Sequence, residues 1–209
     1  MTIIESRSTD LKAIADCFML CFPDSFAVLL GNKTVEKSLE WFLKDENRFL
    51  IHVEANGVIV GFMGGFSPQF VGDGAKSGML RQSFKTAFLT ILTKPSLLFH
   101  EEVRKYVPAF IKNIYLRIRK PVKKTNTATD KYFENVLIST MGVHPAHRRN
   151  GYAQMLLSQA EMYGAKYNRQ QLHLSVKKKN TSAIEAYTKA GWFFSGELKD
   201  TYHFEKKIS

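Results

Sequence analysis

Residues 143–153 constrain the fold of this 209-residue chain more than any other stretch. They follow an apolar run typical of a strand and open a run with helical periodicity, and the basic, glycine-containing sequence Arg148-Arg149-Asn150-Gly151 lies between the two. The first turn of a helix has unpaired N–H groups and the positive end of the helix dipole. A strand that turns into such a helix start is therefore predicted to hold a phosphate or pyrophosphate.

The order of the other patterns predicts a mixed α/β sheet flanked by helices. Strands are predicted at 2–6, 49–54, 58–66, 135–143, 172–176, 192–194 and 201–205. Helices are predicted at 10–22, 35–44, 150–166 and 181–190, the second with Thr34 as its cap. Asn56-Gly57 supplies the positive φ angles of a tight hairpin turn. The strand at 135–143 is apolar on both faces, which predicts a central position in the sheet.

A basic insertion is predicted at about 68–132, after the third strand. Helical periodicity recurs there at 79–92, 96–106 and 108–119. The segment holds thirteen Lys and Arg against four Asp and Glu, an excess of nine positive charges in a chain whose net charge is +11. Charge concentrated in one segment indicates a local acidic partner rather than a uniformly basic protein.

Length and composition limit the class of protein. The chain suits a single domain over 1–209 that carries the insertion. No apolar run approaches the roughly 20 residues of a membrane span, and residues 1–5 lack the layout of a secretory signal, so a cytoplasmic location is expected. Cys17 and Cys21 are expected to be small core residues, because no further ligands lie near them for a metal and a disulfide at that helical spacing is awkward.

Two motifs resemble the GNAT superfamily of acetyl-CoA-dependent N-acetyltransferases. The first, residues 148–153, matches the family pattern of Gln or Arg, two residues, Gly, one residue, then Gly or Ala. The second, residues 180–192, is similar to the family's series of Asn, Ala, Tyr, Gly and an aromatic residue. The resemblance covers 2–66 in element order and 135–204 in motif, and it implies a GNAT-like fold with acetyl-CoA as cosubstrate. The insertion lies outside it.

The resemblance also implies the binding site for acetyl-CoA. The residues expected to contact it are Met141, Gly142, Val143, Arg148, Arg149, Asn150, Gly151, Tyr152, Ala153 and Asn180. Gly151 lets the backbone approach the pyrophosphate, and Gly142 allows close approach of the pantetheine arm to a strand end with free backbone groups. Asn180 is expected to hydrogen-bond the cosubstrate, although a plain helix cap also explains it. No metal is expected.

The expected chemistry is direct attack of a primary amine on the acetyl thioester. By resemblance, Tyr187 protonates the departing thiolate, and the alternative for it is a tyrosine that packs on the sheet. Neither cysteine is expected near either motif, so no covalent enzyme intermediate is expected. The general base stays open, because Leu137 stands where many family members have a carboxylate. His173, Ser175, Glu54 and a water chain are the remaining candidates.

The sequence also leaves the chemical identity of the acceptor open. An amino sugar or nucleotide-linked sugar suits the basic insertion, while a small amine, an antibiotic or a peptide N-terminus fits no worse. The insertion itself is expected to pack on the domain, to form a lid over an acidic acceptor, or to lie on anionic lipid. A homodimer is left open. The hypothesis of another class is a nucleic-acid or anionic-surface binding protein that keeps a degenerate cofactor fold, which salt-sensitive binding to unrelated duplexes without acetyl-CoA affinity would favour.

Overall fold

The computed structural model describes residues 2–69, 73–101, 103–104, 108 and 134–208. The strands are β1 Thr2–Glu5, β2 Arg48–Ala55, β3 Val58–Phe66, β4 Asn135–Val143, β5 Gln171–Lys177, β6 Phe193–Leu198 and β7 Thr201–Lys207. The α-helices are α1 Leu11–Cys21, α2 Phe26–Leu29, α3 Asn32–Leu39, α4 Ala75–Gln82, α5 Phe84–Thr93, α6 Tyr152–Lys166 and α7 Thr181–Lys189. Short 3₁₀ turns span Glu40–Leu43, Pro95–Phe99 and Pro145–His147.

The strands form one mixed sheet in the order β1-β2-β3-β4-β5-β7-β6. Only β4 and β5 run parallel; the other neighbouring strands are antiparallel. The predicted mixed α/β sheet flanked by helices is confirmed, and β4 lies at its centre as its apolar pattern predicted. The hairpin turn has the expected left-handed residues, with φ of 53° at Asn56 and 75° at Gly57.

Apolar residues bury both faces of the sheet. On one face, Leu156 and Leu157 of α6 pack with Val53 and Met63 of the sheet, and α7 extends the same cluster. On the other face, α1 and α3 cover the sheet around Phe62. Both faces of β3 and of the first half of β4 are therefore largely buried, which explains their nearly continuous apolar sequence.

Two details of the predicted helices are wrong. Thr34 does not cap α3, because the helix begins at Asn32 behind Gly31, and the Thr34 hydroxyl donates to the Leu30 carbonyl at 3.1 Å from inside the helix. The single helix expected at 79–92 is broken at Ser83, which separates α4 from α5. The Ser83 hydroxyl donates to the Met79 carbonyl at 2.9 Å, so the side chain competes with the helical backbone pattern.

The described part of the insertion packs on the α3 side of the sheet. Any side chain at Gly78 of α4 would overlap the indole of Trp41, and Phe84 and Ala87 of α5 form a small cluster with Leu30. The helix expected at 96–106 begins as the 3₁₀ turn Pro95–Phe99, while the helix expected at 108–119 falls almost wholly outside the described residues. Within those residues, no helix combines the length and apolar character needed to cross a bilayer. A single domain over 1–209 stays a prediction.

Candidate active site

The sheet opens between its two central strands. β4 pairs with β5 only from Asn135 to Ile138, and the last pair joins Ile138 to Leu174. Beyond that pair β4 stays with β3 as far as Val143, whereas β5 stays with β7 as far as Lys177. The facing edges of β4 and β5 thus diverge and leave a gap in the centre of the sheet.

A β-bulge lies where the two strands part. Gly65 of β3 is paired with Ile138 and Gly64 with Thr140, so Ser139 of β4 is the extra residue. A bulge bends its strand and increases the local twist. Ser139 is exposed, and it is the first residue of β4 beyond the last pair with β5. The bulge therefore gives a physical reason for the gap to begin at this residue.

The predicted phosphate-binding loop links the far end of β4 to α6. Arg149 and Gly151 both have left-handed backbones, with φ of 67° and 80°. Gly151 is the N-cap of α6, so no side chain at the cap position bonds the first amides of the helix. A Cβ built on Gly151 would meet no atom within 4 Å. The first turn of a 15-residue helix thus faces open space. Strain at a non-glycine residue such as Arg149 is typical of functional loops.

The side chains of Arg148 and Asn150 contact the backbone of this loop, whereas the side chain of Tyr152 enters the core. Arg148 is exposed, and its Nε donates to the Val143 carbonyl at 3.4 Å, which holds the guanidinium beside the end of β4. Asn150 Nδ2 donates to the His147 carbonyl at 3.3 Å. Tyr152 is buried in the core, so its backbone, rather than its ring, faces the loop. Ala153 follows it in the first turn of α6.

Gly142 has a packing role that the sequence did not reveal. A Cβ at this position would lie 2.9 Å from Cys21 Sγ and 3.0 Å from ring atoms of Phe62. Gly142 was predicted to allow close approach of the cosubstrate. The side chains of Cys21 on α1 and Phe62 on β3 occupy that close position instead. Met141 and Val143 pack toward the α6 core, which leaves their backbone at the gap as the expected binding edge.

The residues of the second motif lie on α7. Asn180 caps this helix, and its Oδ1 accepts from the Ala183 amide at 3.3 Å and from the Ser182 hydroxyl at 3.2 Å. Tyr187 is buried between Trp192 and Phe204, with ring centroids 6.3 and 6.1 Å away. Burial raises the pKa of Tyr187 to about 12. A phenol with this pKa keeps its proton at neutral pH, as a general acid must.

A polar cluster lies on the opposite face of β5 from Tyr187. His203 Nδ1 is 3.3 Å from His173 Nε2, and His173 Nδ1 is 3.7 Å from Glu205 Oε1. Ser175 is paired with His203 and is exposed one residue beyond the last β4–β5 pair. The sequence predicts His173 and Ser175 as candidates but not His203 and Glu205, because only the pairing of β7 with β5 brings these four side chains together.

Leu137 and Glu54 lie in surroundings that differ from those of the histidine cluster. Leu137 pairs with His173 across the closed part of β4 and β5 and carries no titratable group. Glu54 lies on β2, separated from β4 by β3, with its Oε1 3.5 Å from the Nε2 of buried His52. The histidine cluster on β5 and β7 is thus nearer to the gap in strand order than Glu54 is.

The expectation that both cysteines lie far from the motifs is wrong. Cys21 Sγ lies against Gly142, and the Arg148 charge acts on the same thiol. A hydrogen bond from Cys17 lowers the pKa of Cys21, burial opposes that effect, and Arg148 lowers the pKa further. The pKa of Cys17 is raised, first by its hydrogen bond to Cys21 and then by burial. The packing of α1 on β4 brings these distant parts of the chain together.

We expect Cys21 to react with iodoacetamide faster than Cys17, because the lower pKa gives Cys21 more thiolate. Acetyl-CoA should protect Cys21, since its thiol adjoins the expected binding edge of β4. Arg148→Gln should slow the reaction of Cys21 several-fold, and Arg149→Gln is the matched control. Timed alkylation followed by peptide mass spectrometry measures both effects. Equal labelling of Cys21 with and without acetyl-CoA would contradict the expected site.

The comparisons with known proteins agree with this geometry. Residues 125–192 match the sequence profile of the acetyltransferase (GNAT) family, and this range includes both motifs. The region that holds both motifs, residues 125–192, therefore has the sequence of a GNAT acetyltransferase domain. The resemblance predicted from the two motifs is confirmed. No curated protein matches the chain in sequence.

Solved acetyltransferase structures share the fold of this chain. They include yncA from Salmonella typhimurium with its cofactor acetyl-CoA, at 14% identity and a TM-score of 0.58, covering 100% of this chain and 94% of that one. The aminoglycoside 6'-acetyltransferase type Ii has 14% identity and a TM-score of 0.60, covering 100% and 98%. The ribosomal-protein-S18-alanine N-acetyltransferase from Escherichia coli has 13% identity and a TM-score of 0.57, covering 100% and 94%. At these identities the likeness establishes the fold.

The residues present fit acetyl-CoA as the cosubstrate of the GNAT domain. The uncapped first turn of α6 and the open space at Gly151 suit a pyrophosphate, and the gap beyond Ile138 leaves a strand edge for the pantetheine arm. Within the described ranges, no group of three or more His, Cys, Asp or Glu is arranged to hold a metal ion.

Proposed function

We propose that this GNAT domain acetylates a primary amine in the gap between β4 and β5. The observation that carries the proposal is the divergence of the two strands after Ile138 and Leu174, with the phosphate-binding loop at the far end of β4. The gap joins a pyrophosphate site to a polar cluster within one sheet. Acetyl-CoA supplies an acetyl group activated as a thioester.

The chain holds the cosubstrate mainly through its backbone. Amides from Arg149 to Ala153 bind the pyrophosphate, with the charge of Arg148 beside them. The edge of Met141-Gly142-Val143 binds the pantetheine arm as an added strand would. Asn180 uses its carbonyl oxygen as the helix cap, so its Nδ2 is the atom that donates to the cosubstrate.

Acid and base act from opposite faces of the sheet. Tyr187 lies on the α7 face, while His173 and His203 lie on the other, so one face serves the departing thiolate and the other the incoming amine. His203 removes the proton that leaves the amine nitrogen free to attack, and His173 and Glu205 orient its ring. A C–N bond forms and the C–S bond breaks. Tyr187 protonates sulfur, and the nitrogen loses its second proton to solvent.

We expect His203→Asn to lower kcat by about 10²- to 10⁴-fold, the usual range for a general base. Glu205→Gln should give a smaller loss, since Glu205 acts only by positioning His173. The measurement is kcat together with the Kd for acetyl-CoA.

The base assignment fails if His203→Asn keeps most of its rate, because a water chain then removes the proton. Cys21→Ser should keep its turnover in the same assay, since the proposed transfer is direct. Accumulation of an acetylated protein that needs Cys21 would instead indicate a covalent route.

The acceptor that we propose is an amino sugar linked to a nucleotide or phosphate. The insertion leaves β3 at Phe66 and returns at Asn135, so it joins the sheet at the closed end of β4 and β5, opposite the phosphate-binding loop. That end is where an acceptor must approach a thioester held in the gap. The excess of nine positive charges over 68–132 suits an acidic acceptor.

A thiol-release assay with acetyl-CoA tests the acceptor. The panel contains free amino sugars, nucleotide-linked amino sugars, polyamines, aminoglycosides and peptides with a free N-terminus. We expect the nucleotide-linked amino sugars to give the highest kcat/KM, with a strong decrease at high salt because the recognition is electrostatic. A preference for the cationic polyamines or aminoglycosides would contradict the acidic acceptor while leaving acetyl transfer in place.

A further inference from the structure

α5 presents an exposed apolar stripe. Lys85, Phe88, Leu89 and Leu92 follow one another at i, i+3, i+4 and i+7, which places them on one helical face. The exposed fractions are 40% for Phe88, 60% for Leu89 and 61% for Leu92. The opposite face, with Phe84 and Ala87, is buried against the domain. α5 is therefore anchored on one side and leaves a second apolar side uncovered.

The 3₁₀ turn after α5 continues this apolar surface. Phe99 at its end is 87% exposed, more than any other large apolar residue of the described chain. An exposed phenylalanine that continues an apolar helix face is typical of an interaction surface. We call Phe88, Leu89, Leu92 and Phe99 the apolar edge of the insertion. Its members come from two consecutive elements joined by Lys94.

The charge around the apolar edge is mainly positive. Residues 74–105 contain six Lys and Arg against two acidic residues, Glu101 and Glu102. Lys85 begins the exposed stripe of α5 and Lys94 follows its end, and both are exposed. Long cationic side chains beside exposed leucine and phenylalanine are typical of helices that lie in the headgroup region of a membrane.

We propose that the apolar edge docks the protein on an anionic lipid bilayer. Leu89, Leu92 and Phe99 enter the boundary between headgroups and acyl chains, and Lys85 and Lys94 pair with lipid phosphates. The contact is interfacial, because α5 has only ten residues. Charge complementarity favours anionic lipid over zwitterionic lipid. The apolar edge favours lipid over nucleic acid, whose phosphate backbone offers no partner for leucine.

Sedimentation of the full chain with vesicles tests the docking. We expect binding to phosphatidylcholine vesicles that contain phosphatidylglycerol, and at least tenfold weaker binding to pure phosphatidylcholine. The double variant Leu89→Ser/Leu92→Ser should bind the anionic vesicles at least tenfold less tightly. Met162→Ser is the matched control, since Met162 is 62% exposed on α6, and it should bind like the unmodified chain. Lys85→Gln/Lys94→Gln should bind less and lose salt sensitivity.

Three outcomes of the vesicle assay would overturn the proposal, and a fourth would come from a change of oligomeric state. The first three are no sedimentation with anionic vesicles, equal binding to both lipid compositions, and an equal loss in Met162→Ser. A dimer that Leu89→Ser/Leu92→Ser dissociates, without vesicle binding, would assign the apolar edge to a second copy of the chain and also overturn it. Acetyl-CoA affinity, measured on every variant, shows that the fold is retained. The docking does not depend on the proposed acceptor, so either can fail alone.

Discussion

Gly151→Ala should raise the Kd for acetyl-CoA by about tenfold to a hundredfold, the free-energy equivalent of one or two lost charge-assisted hydrogen bonds. Gly151 has φ of 80°, and a Cβ there would project into the open space before the first turn of α6. The methyl group would therefore occupy the space expected for the pyrophosphate. It would also strain the backbone that aims the amides of the loop.

Backbone strain can be separated from lost binding by a matched variant. Gly31 is also a helix N-cap, its φ is 91°, and a Cβ built there also meets no atom within 4 Å. Gly31 has ψ of 164°, a conformation that essentially only glycine adopts, whereas Gly151 has ψ of −3° and is left-handed helical. Gly31→Ala should therefore cost at least as much unfolding free energy as the roughly 1–2 kcal/mol expected for Gly151→Ala. Only Gly151→Ala should weaken acetyl-CoA binding.

Isothermal titration with acetyl-CoA and thermal unfolding measure the two quantities. An equal loss of affinity in Gly31→Ala and Gly151→Ala would mean that backbone strain alone explains the weaker binding of acetyl-CoA. An unchanged Kd in Gly151→Ala would remove the loop from the pyrophosphate site.

Most of the fold could be predicted from the sequence, because its turns and helix starts depend on neighbouring residues. The Asn56-Gly57 turn and the start of α6 at Gly151 each depend on a few neighbouring residues, and the structure agrees with both. The left-handed backbone of Arg149 was not predictable in this way. A non-glycine residue adopts that conformation only when the surrounding structure imposes it.

The parts of the site that depend on register could not be predicted from periodicity. The bulge at Ser139 shifts the pairing register of β3 and β4 by one residue. No local sequence pattern indicates which strand has the extra residue. His203 joins His173 only because β7 pairs between β5 and β6. Cys21 reaches Gly142 only through the packing of α1 on the sheet.

The two motifs could be proposed as ligand sites from the sequence alone, whereas the candidate base could not. A phosphate site built from consecutive amides has its residues together in the sequence, as at 148–153. A base and its orienting groups are side chains from different strands. The candidate base therefore became visible only once the order of β5, β7 and β6 was known.

Tyr187→Phe should lower kcat by about 10²- to 10⁴-fold, the range expected for loss of a general acid. The phenyl ring keeps the packing between Trp192 and Phe204, so the fold and the Kd for acetyl-CoA should change little. Burial raises the pKa of Tyr187 to about 12, which keeps the phenol protonated through pH 10. Titration of Tyr187 should therefore cause no fall in kcat between pH 7 and 10, and the variant should have a lower profile of the same shape.

The matched control is Tyr163→Phe, which removes another buried tyrosine hydroxyl from the same face of the sheet. That hydroxyl donates to Glu5 Oε1 at 3.2 Å, away from the gap, so this variant should keep its kcat. Release of free CoA thiol and equilibrium binding of acetyl-CoA are measured on both variants. If Tyr187→Phe weakens binding as much as it lowers thiol release, Tyr187 supports the packing of α7 and a different group protonates sulfur. A large loss of turnover with binding intact requires the hydroxyl itself, since the two side chains differ in no other atom.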